Sequence, residues 1–151
     1  FESKLGLQAE VARRGYLALT RALRDARANR RDAAGRVDAA VTALQSIGLA
    51  YVDFALEHQG AFRLMFDRAL KPFTAHPELA TAAGEAFAEL AGAVIAALPS
   101  SRAAQRRRDP LTHALWSLVH GHATLVLAEQ LSGPLSIDAH NGSDAIREAI
   151  E

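Results

Sequence analysis

Apolar residues recur at intervals of three and four along most of this chain, and the breaks in that rhythm are few. A 3.6-residue period without strand signals confines the chain to helices packed on helices. Alternating β-branched runs are missing, and Asn141-Gly142 has polar sequence around it rather than two apolar runs. Ser3 stands as the N-cap of a first helix that reaches Ala28, with Leu5, Val11, Leu17, Leu19 and Leu23 as its apolar positions. A second helix is expected from about Asp32 to His58. Val37, Val41, Leu44, Gly48, Tyr51 and Ala55 form one apolar row on it, with Ala40, Ile47 and Phe54 beside it. A helix apolar over so much of its girth belongs at the centre.

Punctuation sets the later segments. A short third helix, Ala61 to Leu70, ends at Lys71-Pro72. A fourth opens on Pro77, well suited to a first turn, and closes at Leu98 before Pro99. Ser100 to Arg108 holds four arginines and no periodic apolar row, so it reads as an exposed loop. The fifth helix is expected after Asp109-Pro110 and ends near Leu131, before Gly133-Pro134. A last helix starts at about Ser143. The expected fold is all-α, an antiparallel bundle of about six helices in one domain over residues 1–151.

Charge and cysteine content narrow the function. Lys plus Arg equals Asp plus Glu, 17 against 17, so the chain as a whole has no attraction to nucleic acid or anionic lipid. The absence of cysteine excludes disulfides, zinc fingers and thiol nucleophiles, and suits the cytoplasm, the expected location. No uninterrupted apolar run approaches the roughly 18 residues of a membrane span, so no membrane contact is expected. No signal peptide is visible. The chain opens on Phe1 and its single methionine is Met65, so it is expected to begin inside a longer gene product.

Nothing points to an enzyme. Six histidines are present, but no carboxylate stands at Glu-x-x-His or His-Glu-x-x-His spacing, so neither a metal nor another cofactor is expected. Gly-x-Ser-x-Gly, P-loop and Gly-x-Gly-x-x-Gly motifs are also missing. The arginine cluster at Arg102, Arg106, Arg107 and Arg108 lacks interleaved aromatics and reads as a solvated loop.

Two other groupings carry more. On a wheel of the fifth helix, Leu111, Leu115, Leu118, Leu125 and Val126 line one apolar face, extended by Trp116, Ala123 and Leu127. His113, Ser117, His120 and Thr124 form a polar stripe, with Ala114, Gly121 and Ala128 beside it. Small residues at that spacing let another helix approach closely. The helix is expected to pack inside its own subunit on one face and to meet a partner or ligand on the other. The aromatics Tyr51, Phe54, Phe62, Phe66, Phe87 and Trp116 lie on four helices that are able to converge. They form either ordinary core or, together with Met65 and His120, the lining of a mostly apolar cavity between helices.

Phe1-Glu2-Ser3-Lys4-Leu5-Gly6-Leu7 resembles the Phe-x-Ser-Lys-x-x-Leu element that follows the helix-turn-helix of TetR-family repressors. His58-Gln59-Gly60-Ala61-Phe62-Arg63-Leu64-Met65-Phe66, followed by Trp116-Ser117-Leu118-Val119-His120-Gly121, resembles the TetR C-terminal domain type named after its Trp, His and Gly. Gln59 stands where that type usually has proline. The resemblance implies an effector-binding and dimerisation domain whose DNA-reading head precedes Phe1. It implies a homodimer built from the last two long helices, with Ala114, Ser117, Gly121, Thr124, Leu125 and Ala128 at the interface. Operator DNA would be held about one helical turn apart, roughly 34 Å, by two heads outside this chain, with Lys4 touching a phosphate. The expected function is a repressor released by a small lipophilic effector. The alternative is a helical interaction module with no small ligand.

Overall fold

The computed structural model describes residues 3–28 and 36–131, with side chains from residue 39 onward in the second stretch. Among them are α1 (Lys4–Ala28), α2 (Arg36–Glu57), α3 (Gln59–Met65), α4 (Pro77–Ala97) and α5 (Arg102–Leu127), with no strand. Two single 3-10 turns, Arg68–Leu70 and Phe73–Ala75, join α3 to α4. The all-α expectation therefore holds. The last expected helix and the start of the second lie outside the described residues.

Helix α1 begins as its sequence dictates, with Ser3 Oγ accepting the Gly6 N–H at 3.0 Å. Its buried face keeps Leu19 and Leu23 of the expected row but is otherwise made of other residues. It runs through Ala9, Ala12, Gly15, Tyr16, Leu19 and Leu23, while Leu5 is exposed. Small residues win because three helices, α2, α3 and α4, press on α1. A Cβ on Gly15 would lie 2.7 Å from Met65 Sδ, so Met65 would have to shift before residue 15 could carry a side chain.

Helix α4 runs parallel to α1 and makes its most extensive contact. Arg13 Nε stands 3.9 Å from Glu78 at the start of α4, whereas Arg24 and Arg27 meet Glu89 further along. The Glu89 carboxylate is buried, and its Oε1 accepts from Arg24 Nε at 3.0 Å and Nη2 at 2.9 Å. Its Oε2 faces Arg27 Nη1 at 3.4 Å. Glu89 was not singled out by its sequence context, since an isolated Glu between apolar neighbours gives no sign of its partners. Leu19, Leu23, Met65, Leu79 and Val94 are sealed in the single core that α1, α3 and α4 share with α2 and α5.

On the outer side of α1, Glu10 accepts from Arg13 Nε at 2.7 Å, Arg13 Nη2 at 2.9 Å and Arg14 Nε at 2.7 Å. Those bonds, Arg13's first and then Arg14's, hold its carboxyl at about 2 against an ordinary value near 4.5. A depressed carboxylate pKa contributes stability above the unfolded value and loses it as pH falls through the folded one. Melting temperature should therefore decline between pH 4.5 and about 2, and less steeply in Glu10→Gln. An identical acid limb in both proteins would refute this assignment.

The arginine-rich stretch is the main correction. It is not a loop but the first two turns of α5, and Pro110 lies inside the helix. Ser101 Oγ accepts the Ala104 N–H at 3.2 Å, and Ala104 is buried, so one cap and one alanine anchor the start. Pro110 withholds the N–H that would reach the Arg106 carbonyl, and because both residues are exposed, water can satisfy that carbonyl. Ser101→Ala should cost about 1 kcal/mol, read as a melting point lower by roughly 2–4 °C. No shift would mean that packing alone starts the helix. The helix also ends earlier than expected, at Leu127, in a Schellman motif. Gln130 N donates to Leu125 O, Glu129 N donates to Val126 O, and Glu129 is left-handed at φ 56°.

By length and composition α2 and α4 are each apolar enough to cross a membrane, which a search for uninterrupted apolar runs does not detect. Alanine raises the mean, and both helices bury a face in the common core.

Candidate functional site

A chain of aromatic rings links four of the five helices. Tyr51 of α2 meets Phe62 of α3 at 5.8 Å and Trp116 of α5 at 5.3 Å, centroid to centroid. Phe66, just past α3, lies 5.1 Å from Phe62, 6.5 Å from Trp116 and 4.2 Å from the His120 ring. Phe87 of α4 joins through Trp116 at 5.5 Å and touches His113 at 5.6 Å. Edge-on and tilted geometries predominate, as ring quadrupoles favour. Met65 is fully buried beneath the cluster.

One polar pair is set among these rings. Tyr51 Oη lies 2.9 Å from His120 Nδ1. Burial pushes the Tyr51 hydroxyl well above the ordinary phenol range, so it keeps its proton. Burial pushes His120 down, so the imidazole stays neutral near pH 7. A phenol donates better than a neutral imidazole, which makes Tyr51 the donor and Nδ1 the acceptor. Tyr51→Phe should cost about 1 kcal/mol, measured by urea melts, because Nδ1 loses its partner. Equal stability would place a water in the role given to the hydroxyl.

Tyr16 extends the cluster to α1. Its ring meets Phe66 at 5.9 Å and Phe73 at 6.4 Å, and its hydroxyl donates to the Met65 carbonyl at 2.9 Å. Sequence reading passed over Tyr16 and Phe73. The signal was available in Tyr16, an aromatic at 3–4 spacing from Ala12 and Leu19.

Of the residues expected to line a cavity, Tyr51, Phe62, Phe66, Phe87, Trp116 and His120 come together with Met65 below them. Phe54 does not. It turns to the other side of α2, packs on His58 at 4.8 Å and lines a surface hollow of about 220 Å³ with Ala18, Ala22 and Ala50. A second hollow, about 350 Å³, opens between the starts of α1 and α4 beside Glu10, Arg13 and Glu78. Neither reaches the ring cluster, whose members pack on one another. His120, which the wheel places on the polar stripe and which was also expected to line the cavity, is half-buried among the rings. No group of three or more His, Asp or Glu among the described residues is placed to hold a metal.

The other face of α5 is bare. Ala114, Ser117, Thr124 and Ala128 are exposed, and a Cβ on Gly121 would meet nothing within 4 Å. Leu118, expected on the inner apolar face, and Leu125, expected on that face and also at the dimer interface, join that outer face at 49% and 44% exposure. The inner face is Thr112, Val119 and Ala123, flanked by Leu111, Leu115, Trp116 and Leu127. Val119 reaches α2 at Gly48, where an added Cβ would lie 3.4 Å from its Cγ1. Lys4 is exposed in the first turn of α1.

The family model described as tetracyclin repressor-like, C-terminal domain, matches residues 44–143. The chain belongs to that family. The match includes all of α3, α4 and α5 and most of α2, and so contains the ring cluster apart from Tyr16. A structure from Rhodococcus sp. RHA1, described as a protein with unknown function, superposes with a TM-score of 0.72 at 22% identity. The superposition covers 99% of this chain and 75% of that one, and it speaks for the fold. No curated protein matches. Within the tetracyclin repressor-like domain, the motif Trp116–Gly121 therefore has two destinations. Trp116 and His120 turn inward to the rings, while Ser117, Leu118 and Gly121 belong to the open face.

Proposed function

We propose that this domain is the ligand-responsive, dimer-forming half of a transcriptional repressor. A small, mostly apolar effector enters between α3 and α5 by spreading the ring cluster around Trp116 and His120. The observation that carries this reading is the double attachment of Tyr16. Its ring and its hydroxyl both tie α1 to the segment Met65–Phe66, which forms one wall of the cluster. An inserted ligand that displaces Phe66 therefore pulls on α1. In the proposed assembly α1 carries the DNA-reading head, Lys4 approaches a phosphate, and two subunits meet through the bare face of α5. A near-complete switch requires about 5.5 kcal/mol of differential ligand affinity.

The test uses the repressor with its DNA-binding segment and an effector found by thermal-shift screening. Tyr16→Phe should keep effector affinity but weaken effector-driven release from DNA in a gel shift. Release identical to wild type removes Tyr16 from the relay. A second reading, a helical interaction module without a ligand, draws support from the close packing of the rings. It gains if no lipophilic compound changes either the melting point or the emission of Trp116.

A further inference from the structure

The ring cluster has a polar character that specifies more than "apolar effector". In a neutral imidazole, a proton-free Nδ1 leaves the proton on Nε2. Tyr51 occupies Nδ1, so His120 presents an Nε2–H. No described residue accepts from that nitrogen, nor from the indole N–H of Trp116. The two residues stand one helical turn apart on the same face of α5. Both are only half-buried, and neither nitrogen is among the sealed polar atoms that lack a partner, which are Glu89 Oε2 and Arg108 Nε. The remaining hydroxyls are used or shut away. Tyr16 donates to the Met65 carbonyl, and Tyr51 is 1% exposed.

The cluster therefore offers N–H donors and aromatic faces. Among the described residues no ion pair stands at these rings: the acidic partners are Glu10, Glu78 and Glu89, and the cation over a ring is Lys71 on Phe73, beyond Tyr16. A charged ligand would lose its hydration there with nothing to replace it. Aromatic walls favour a flat partner that stacks. Resting on the ligand-site reading above, we infer that the effector is an uncharged aromatic compound whose acceptor oxygen is received by the Nε2–H of His120, with the Trp116 indole N–H beside it.

Trp116 is the single tryptophan of the chain, so its emission reports on this site directly. Four probes of one shape separate the possibilities: benzophenone (neutral acceptor), diphenylmethane (no acceptor), diphenylacetate (anion) and benzhydrylamine (cation). Titrations of the 151-residue chain, followed by tryptophan emission and calorimetry, should give benzophenone an affinity about tenfold above diphenylmethane. The two charged probes should bind no better than the hydrocarbon. His120→Phe should abolish the ketone's advantage, read as the ratio of its affinity to that of diphenylmethane in the same variant, with circular dichroism checking the fold. Tyr51→Phe, which frees the imidazole tautomer, should reduce that advantage in part. Equal binding of ketone and hydrocarbon, preference for a charged probe, or an advantage that survives His120→Phe overturns the acceptor assignment while leaving a ligand site in place. Failure of all four probes to bind overturns the site and the assignment together.

Discussion

Met65→Ala should lower stability by about 3 kcal/mol, seen as a melting point lower by roughly 6–12 °C. Met65 is fully buried, and its side chain fills the space between α3 and Gly15 of α1. Truncation leaves a void where α1, α3 and the ring cluster meet. Gly15→Ala alone should also destabilise, by about 1 kcal/mol. The added methyl strikes Met65 Sδ at 2.7 Å and Cγ at 3.0 Å, and the strain outweighs the gain in helix propensity. The double variant reverses the sign of the second change. Those two atoms are gone, the next neighbour, Ala61 Cβ, lies at an ordinary 3.5 Å, and the methyl occupies vacated space. Gly15→Ala should then stabilise the Met65→Ala background, a coupling of about 2 kcal/mol. Simple additivity in the cycle would show that α1 and α3 are not held apart by this contact.

The second large effect concerns assembly. Leu125→Glu should raise the dimer dissociation constant at least about a hundredfold, because a desolvated interface would have to accept an unpaired charge. Leu125 is 44% exposed in the protomer, so the fold itself should not feel the change. Sedimentation velocity over a concentration series should show monomer where wild type is dimer, with unchanged circular dichroism. A dimer that persists in Leu125→Glu excludes this part of α5 from the interface. A wild-type chain that is monomeric at every concentration refutes the proposed homodimer through α5.

The two readings of α5 show how far periodicity goes. About seven turns of apolar spacing say which residues are able to face a neighbour, but not how many neighbours exist. Leu118 and Leu125 satisfy the same spacing as Leu111 and Leu115, yet lie on the open side, because α2 and α4 approach from the other. His120 went the opposite way. On a wheel it lies with Ser117 and Thr124, but Tyr51 on α2 supplies a hydrogen bond that lets it turn inward. That partner is 69 positions distant in the chain, and no local pattern encodes it. Tyr16 was missed for a related reason. Its face was sought in leucines, whereas close approach of α3 selected Ala12 and Gly15 around it.

Boundaries divide in the same manner. Ser3 and Pro77 fixed the starts of α1 and α4 because caps and first-turn prolines act within a few residues. Ser101 acts in the same local way, but the arginines after it hid the helix, whose only buried anchor there is Ala104. Local chemistry thus determined that the chain is helical, where most helices begin, and that its motifs are those of a tetracyclin repressor-like domain. Only the tertiary structure decided which side of each helix is inside, since that depends on where the other helices stand. It put Tyr51 against His120, joined Tyr16 to Met65 and Phe66, and left Leu118, Gly121 and Leu125 uncovered.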